Sequence, residues 1–354
     1  MIQPESRNLE WIEKAAKHNN ASNPILVEKV IRAFSLLEAL ARSGCPFIFK
    51  GGSSLMLHFG SSRRLSIDVD IICPPGTDIE KYWSMYAGDY GFTLVEAVDR
   101  IYRSDVPKTH AKCHYQVSYK TSSDIDTILL DVLTEDNNYH AVESLPIKSP
   151  FLLTDGPDVM VSVPCKADLL GDKLTAFAPH TTGIPFFKGD KPFSMEIMKQ
   201  LFDISTILDR TGSLETVRRT FNAIVPIELG YRGLDELSAA DVLADAYNTA
   251  MNICLYGALD RQEYTWLTSG AHRVNSFILT ENYAMERAVR DAAKVAYLAR
   301  LLQLGINEVR HYTPAEDAVL ATEIIEDQAL NKLNRLKKVN IEAFFYARRL
   351  EELG

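Results

Sequence analysis

Hydrophobic and polar residues follow different patterns in the two halves of the chain. In the first half, apolar residues at helical spacing predict helices at 9–42 and 79–90. Short or alternating apolar runs predict strands at 47–49, 65–73, 92–98, 112–120 and 125–133. From about residue 169 onward, amphipathic helical patterns dominate. The sequence therefore predicts an α+β fold, with a mixed sheet and flanking helices in residues 1–165 and a helical domain in residues 166–354.

Composition narrows the class of protein. The chain has 354 residues, is 46% hydrophobic and carries a formal net charge of −9, which is typical of an ordinary globular protein and argues against a general nucleic-acid coat protein. It has no apolar run long enough to cross a membrane and no apolar signal core near its start, so we expect a cytoplasmic protein without a membrane partner. Five scattered cysteines without a CxxC pair argue against a zinc site or a disulfide framework.

A glycine pair separates the first predicted strand from a short helical pattern. Gly51 and Gly52 form the turn, Ser53 or Ser54 is expected to cap the helix, and Gly60 is expected to end it. The N–H groups and the positive dipole end of a helix N-terminus bind phosphate well, and Ser53 offers a hydroxyl donor besides. The sequence therefore predicts a phosphate-binding turn that is neither a GxxxxGK[ST] loop nor a GxGxxG loop.

Two aspartates interrupt the apolar strand that follows. Asp68 and Asp70 are two positions apart, so they share a face of the strand at about 7 Å along the chain. Like charges this close stay ionised only if a cation neutralises them, and carboxylate with phosphate oxygens suits Mg²⁺ or Mn²⁺. Asp131, late in strand 125–133, is the best candidate for a third acid. We expect its strand to pair beside that of Asp70, giving two metals or one metal and a base.

Several positions in this half resemble the nucleotidyltransferase core of the AbiEii/AbiGii toxin family, within the DNA polymerase β-like superfamily. The matching residues are Gly51, Gly52, Ser53, Arg64, Ser66, Asp68 and Asp70. Asp131 matches the third acid that the family carries on a later strand. The resemblance covers roughly residues 25–210.

The resemblance continues in the helical half. Lys173 matches a helical lysine of the family, and Lys199 with Asp203 matches a basic residue and the second acid of a following Asp-x-x-Asp motif. Gln200 stands where the family usually has the first aspartate of that motif, which puts full activity in question.

The resemblance implies a metal-dependent nucleotidyltransferase, the toxin of a toxin–antitoxin pair, which uses a nucleoside triphosphate and releases pyrophosphate. It implies Asp68, Asp70 and Asp131 as metal ligands and catalytic residues, together with Lys173 and Asp203. The implied nucleotide-binding residues are Gly51, Gly52, Ser53, Arg64, Lys173 and Lys199. The helical domain would complete the nucleotide cleft. Some relatives modify the 3′ end of tRNA, so tRNA is the implied acceptor and a cognate antitoxin the implied protein partner.

Two alternatives remain open. A small-molecule nucleotidyltransferase of the aminoglycoside-modifying kind would use the same carboxylates with an acidic acceptor pocket. A degenerate fold that only binds nucleotide or a partner protein is supported by Gln200 and opposed by the intact aspartates. A basic stretch with interleaved tyrosines mildly favours an RNA acceptor. Its members are Arg100, Arg103, Lys108, Lys112, Lys120, Tyr102, Tyr115 and Tyr119.

Overall fold

The computed structural model describes residues 1–60, 63–98, 107–119 and 123–354. The chain divides into two compact units. The first consists of Met1–Cys165 and Ser276–Asn282, and the second of Lys166–Asn275 and Tyr283–Gly354. The fold is α+β with a mixed five-stranded sheet, as the sequence predicts.

The first unit holds the large sheet. Its elements in chain order are a 3-10 helix at Pro4–Arg7, α1 (Leu9–His18), α2 (Pro24–Arg42), β1 (Ile48–Lys50), α3 (Gly51–Phe59), β2 (Val69–Cys73), α4 (Glu80–Trp83), a 3-10 helix at Gly88–Tyr90, β3 (Phe92–Val98), β4 (Lys108–Gln116), β5 (Ile125–Thr134), β6 (Val142–Pro146) and β7 (Met160–Pro164).

The sheet has the strand order β1-β2-β5-β4-β3. Strands β2 and β5 are parallel, whereas the other three neighbouring pairs are antiparallel. Val69 and Ile71 flank Asp70 in β2, Leu130 and Val132 flank Asp131 in β5, and all four apolar residues are buried. This period-two burial fixes the register of the central strands, because a slip of one residue would move these side chains to the opposite face.

Several boundaries differ from those that the sequence predicts. The predicted helix at 9–42 is two helices, because the chain turns at Asn20, which has a positive φ of 56°, and Asn23 caps α2 through Ile25 N–H. The predicted helix at 79–90 keeps only α4 and one 3-10 turn. Strand β4 covers Lys108–Gln116 rather than 112–120, and β2 begins at Val69 rather than at residue 65.

A late segment of the chain packs against the stretch that precedes β2. In Ser276–Asn282, the carbonyl of Phe277 accepts a 2.7 Å hydrogen bond from Leu65 N–H, and Leu279 N–H donates to the carbonyl of Arg63 at 2.9 Å. Arg64 and Ile278 form the isolated β-bridge between these two bonds. The late segment therefore fixes the backbone of Arg64. Local sequence patterns did not predict this contact.

The second unit is mainly helical. Its elements are α5 (Lys166–Ala176), the hairpin strands β8 (Phe187–Lys188) and β9 (Lys191–Pro192), α6 (Ser194–Leu208), α7 (Glu215–Gly230), α8 (Ala239–Cys254), α9 (Arg261–Val274), a 3-10 turn at Asn275–Phe277 that runs into the first unit, α10 (Met285–Gln303), a 3-10 turn at Pro314–Glu316, α11 (Asp317–Leu320), a 3-10 turn at Asn331–Arg335, α12 (Leu336–Val339) and α13 (Ile341–Glu352). Within the described parts of the chain, no helix meets the length and apolarity needed to span a membrane.

Candidate functional site

Four ionisable residues form one row across the large sheet. Lys50 of β1 pairs with Asp70 of β2, Asp70 pairs with Asp131 of β5, and Asp131 pairs with His110 of β4. Residues directly opposite one another on neighbouring strands present their side chains on the same face. The expectation that the strand of Asp70 lies beside that of Asp131 is therefore confirmed.

Both carboxylate oxygens of Asp131 have partners. Lys108 Nζ lies 3.1 Å from Oδ2, and Nδ1 of the buried His110 makes a short contact with Oδ1. Burial alone would raise the pKa of Asp131, but the charges and hydrogen bonds of Lys108 and His110 outweigh burial and lower the pKa below its usual value. Asp131 is thus an ionised carboxylate fixed from two sides.

Asp70 is in the opposite situation. Burial, followed by the negative charges of Asp131 and Asp68, raises the pKa of Asp70 to about 7, although Lys108 and Lys50 act in the other direction. Within the described residues, the structure records no hydrogen bond or ion pair to the Asp70 carboxylate. A carboxylate with this environment is poorly compensated at neutral pH.

The glycine turn packs directly against the acids. Gly51 has a φ of +75°, and a Cβ placed on it would lie 2.2 Å from Asp70 Oδ2. A Cβ on Gly52 would lie 2.5 Å from Arg64 Nη2 and 2.8 Å from Ser66 Oγ. Each glycine therefore makes room for a side chain that approaches the first turn of α3.

The start of α3 differs from the predicted cap. The helix begins at Gly51 itself, with Lys50 in the N-cap position, so neither serine caps it. Ser53 donates its hydroxyl to the carbonyl of Asp68 at 2.6 Å, and Ser54 donates to the carbonyl of Gly51 at 2.9 Å. Ser53 thereby ties the helix to the aspartate pair. The predicted end at Gly60, which has a φ of +63°, is confirmed.

The residues of the row suit a divalent cation in part. Carboxylate oxygens are the ligands that Mg²⁺ prefers, and Asp70, with Asp68 two residues away, supplies them. Among the residues that the structure describes, however, no three His, Cys, Asp or Glu side chains come together as a metal-binding group. Asp131 is turned toward Lys108 and His110, so Asp70 and Asp68 are the pair that fits a metal.

In the helical unit, α5 and α6 bring the predicted basic and acidic residues together. Lys173 Nζ lies 2.7 Å from Asp203 Oδ2, and both side chains are buried. Lys173 also donates to Gln200 Oε1 at 3.3 Å. Gln200, which stands where the family usually has an aspartate, thus still binds Lys173 through its amide oxygen. Asp203 therefore pairs with a lysine of another helix, α5, and does not serve only as a partner for Lys199 within α6.

Comparison with known families decides the class of the chain. The model of the AbiEii nucleotidyl transferase toxin family, assigned to a type IV toxin–antitoxin system, matches residues 35–268, about two thirds of the chain. The chain belongs to this family. The match includes the aspartates of the sheet and the Lys173–Asp203 ion pair of the helices. It extends through most of α9, beyond the region that the sequence motifs cover. No curated protein matches the chain in a sequence search.

Sequence reasoning did not assign three residues to this toxin-family site, although it named Lys108 as a member of the basic stretch. Lys50, Lys108 and His110 all contact or face the aspartate row, yet His110 shows no ligand spacing in the sequence. Counting the alternation of the predicted strand back from Lys112 would have placed His110 and Lys108 on one face. Lys50 depends on the register between β1 and β2, which no local pattern fixes.

Only part of the predicted basic stretch lies among the described residues, so its role in binding RNA stays a prediction. Arg100, Tyr102, Arg103 and Lys120 lie outside the described residues. Lys108 is held by Asp131, as described above. Tyr115 is buried beneath the guanidinium of Arg32, whose Cζ is 4.7 Å from the ring centroid, so it is a core residue rather than a stacking surface. Tyr119 donates its hydroxyl to Glu13 at 3.0 Å.

The two glycines with the same backbone angle give a matched pair of variants. Gly44 also has a φ of +75° but has no atom within 4 Å of a built Cβ. We expect Gly44→Ala to lower the free energy of unfolding by about 1–2 kcal/mol, the cost of a left-handed conformation. Gly51→Ala should cost clearly more, because it adds the clash with Asp70. Urea unfolding measures both; equal losses would show that the turn does not press against Asp70.

The raised pKa of Asp70 predicts a pH-dependent stability in metal-free protein. Its folded pKa is about 7, whereas an unfolded aspartate titrates near 4, so the fold holds an extra proton between these values and loses stability as pH rises through them. Asp70→Asn in EDTA should therefore melt higher than wild type at pH 8 and about equally at pH 4.

The control for this prediction is Asp126→Asn, since Asp126 forms an ordinary ion pair with Lys29 at 2.9 Å. It should melt level with or below wild type at pH 8. If Asp70→Asn melted well below wild type in EDTA at pH 8, the carboxylate would hold the fold together and the repulsion argument would be wrong.

Proposed function

We propose that the chain is a metal-dependent nucleotidyltransferase toxin that moves a nucleotide from a nucleoside triphosphate to an RNA acceptor such as the 3′ end of tRNA. One observation carries the proposal. The poorly compensated carboxylate of Asp70 lies beside Asp131 and against Gly51, the first residue of a helix. A cation site and a phosphate site therefore adjoin each other, which is what transfer from a triphosphate needs.

The phosphates of the nucleotide would lie at the N-terminus of α3. Its first N–H groups have no partner within the helix, and the dipole favours negative charge there. Arg64, whose guanidinium reaches Gly52, would add a positive charge beside them. Asp68 and Asp70 would hold Mg²⁺ or Mn²⁺, which when bound neutralises negative charge on the phosphates. Ser53 would keep Asp68 beside the helix through its 2.6 Å bond.

Asp131 would act on the acceptor. Lys108 and His110 fix its carboxylate, so it can accept a hydrogen bond from the attacking hydroxyl and orient it toward the α-phosphate. The acceptor oxygen would form a bond to the α-phosphorus while its proton passes to the Asp131 carboxylate, and the bond from the α-phosphorus to the bridging oxygen would break so that pyrophosphate leaves. Of the two roles open to Asp131, metal ligand or partner of the hydroxyl, its contacts favour the second.

The helical unit would contribute positive charge to the leaving pyrophosphate. Lys173 is held by Asp203 and Gln200, so it is pre-positioned rather than mobile. Lys199 is a second candidate on α6. That Lys173 faces the glycine turn in the nucleotide-bound protein stays a prediction. The acceptor RNA and the cognate antitoxin rest on family membership, and the cytoplasmic location stays an expectation from the sequence.

Asparagine variants test the transfer reaction. Asp68→Asn and Asp70→Asn keep shape but remove the charge, and we expect each to lower the rate at least about 100-fold, the scale of losing one preorganised electrostatic group. Each labelled nucleoside triphosphate is incubated with Mg²⁺, total RNA and protein, with Asp126→Asn as the control that should keep its rate.

Label in a tRNA-sized band that EDTA abolishes is the expected result. Label in a small molecule instead would favour the aminoglycoside-modifying type of enzyme. Transfer at the wild-type rate by Asp70→Asn would remove the row from the reaction.

The buried lysine needs a paired design. Lys173→Met leaves Asp203 as an uncompensated buried charge, which costs about 3–5 kcal/mol when one partner of a buried pair is removed. Adding Asp203→Asn should therefore recover much of the melting temperature but none of the transfer rate. Lys166→Met, on the same helix, is the control. A double variant with wild-type kcat/KM would show that the pair has only a structural role.

A further inference from the structure

A cavity of about 370 Å³ lies at one end of the large sheet, where β1 begins and β2 and β5 end. A volume of this order is typical of a site for a small ligand. Its apolar walls include Ile48, Ile72 and Pro74, and its polar side is formed by Glu135, Asp136 and Asn137. Pro74, Asp136 and Asn137 are exposed, so the cavity is open to solvent. The sequence motifs assign no role to these residues.

Strand register places part of the cavity wall on the face of the sheet that carries Asp70. Ile48 of β1 pairs with Ile72 of β2, and two residues further along β1, Lys50 pairs with Asp70. Residues two apart in a strand share a face and lie about 7 Å apart along the chain. The cavity therefore adjoins the candidate site, with Ile48 and Ile72 one step along the strands from the acids.

The spacing between the cavity and the glycine turn suits a nucleotide. Gly51, where the phosphates would lie, follows Ile48 by three residues, which is about 10 Å of extended chain. The sugar of a nucleotide separates the base from the phosphate by a comparable length. A base in the cavity therefore leaves its sugar and phosphate within reach of the turn and the acids.

The chemistry of the lining favours a base over a phosphate. Phe47 and the isoleucines offer apolar surface to the flat faces of a ring. Among the described residues that line the cavity are two acids, Glu135 and Asp136, and no lysine or arginine, so a phosphate group would be repelled there. An ionised carboxylate only accepts hydrogen bonds, and so requires a donor on the ligand.

We propose that this cavity binds a nucleobase that carries an exocyclic amino group, with the ring against the apolar walls and the amino group donating to Glu135 or Asp136. Adenine, cytosine and guanine carry such a group, whereas uracil and hypoxanthine present carbonyl oxygens, which carboxylates repel. The inference rests on the proposed function, because the same nucleotide would reach that site through its sugar. The base belongs to the donor triphosphate or to the terminal nucleotide of the acceptor.

Nucleosides alone test the proposal without metal, phosphate or RNA. Cytidine with uridine, and adenosine with inosine, are matched pairs of equal ring size in which a carbonyl oxygen replaces the amino group. Each nucleoside is titrated into the full chain in EDTA, and isothermal titration calorimetry gives its Kd. In at least one pair, the amino member should bind at least about tenfold more tightly, the scale of a hydrogen bond to a charged group.

A cavity-filling variant tests the location. Ile48→Trp places a larger side chain in the cavity and should weaken nucleoside binding at least about tenfold, because the ring loses its space. Ile125→Trp is the matched control, since Ile125 is 55% exposed and begins β5, at the end of that strand far from the cavity. It should bind nucleosides as wild type does. Circular dichroism confirms that each variant is folded.

A second variant tests the carboxylates and leaves the apolar walls unchanged. Glu135→Gln combined with Asp136→Asn replaces groups that only accept hydrogen bonds with amides that also donate, so most of the preference within each matched pair should disappear. Asp158→Asn is the control, because Asp158 forms an exposed ion pair with Lys148 at 2.7 Å and does not line the cavity. It should keep the preference.

The transfer assay identifies which nucleotide supplies the base. If Ile48→Trp raises the KM for the triphosphate, the cavity binds the donor base, and if it raises the KM for the RNA, the cavity binds the acceptor base. An unchanged KM for both substrates would overturn the inference.

The outcomes separate the inference from the proposed function. Absent nucleoside binding, equal binding within both matched pairs or unchanged binding by Ile48→Trp would overturn the base site, while nucleotide transfer by the wild type would leave the transferase intact. Selective nucleoside binding by a protein that transfers no nucleotide would support the cavity and overturn the proposed function.

Discussion

The structure of the site depends on one repulsion: two aspartates are held side by side where parallel strands β2 and β5 pair. Asp70 and Asp131 are opposite each other in the register, and the buried alternating residues on both strands prevent a slip that would separate them. The chain compensates the two acids unequally. Asp131 receives a lysine and a histidine, whereas Asp70 accepts no hydrogen bond from the residues that the structure describes and lies against the backbone of Gly51.

This inequality links the fold to the chemistry. A compensated acid is a stable ionised carboxylate, suited to orienting a hydroxyl. A poorly compensated acid has a raised pKa and is stabilised when a cation binds. The glycine turn belongs to the same arrangement, since any side chain at Gly51 would displace Asp70. The helical unit holds a buried charge of the opposite sign, Lys173, which is compensated by an ion pair with Asp203 and a hydrogen bond to Gln200.

Local patterns in the sequence predicted much of this site. The glycine pair, the alternate aspartates and the later acid all follow from strand periodicity and turn chemistry, and the α+β class follows from the order of the patterns. Local patterns did not predict the contributions of Lys50, Lys108 and His110. These depend on strand register and on β4, which starts four residues earlier than its apolar alternation suggests. The segment near Ile278 that fixes Arg64 is some 200 residues away in sequence, and only tertiary structure brings it there.

The most direct test of the account is the pKa of the Asp70 carboxyl group, measured by carbon-13 NMR with the signal assigned through Asp70→Asn. In metal-free protein we expect a value of about 7, because burial and the charges of Asp131 and Asp68 disfavour ionisation. Added Mg²⁺ should move the titration to much lower pH, because the cation binds only the ionised form. A pKa near the ordinary value of about 4 that does not respond to Mg²⁺ would contradict the account.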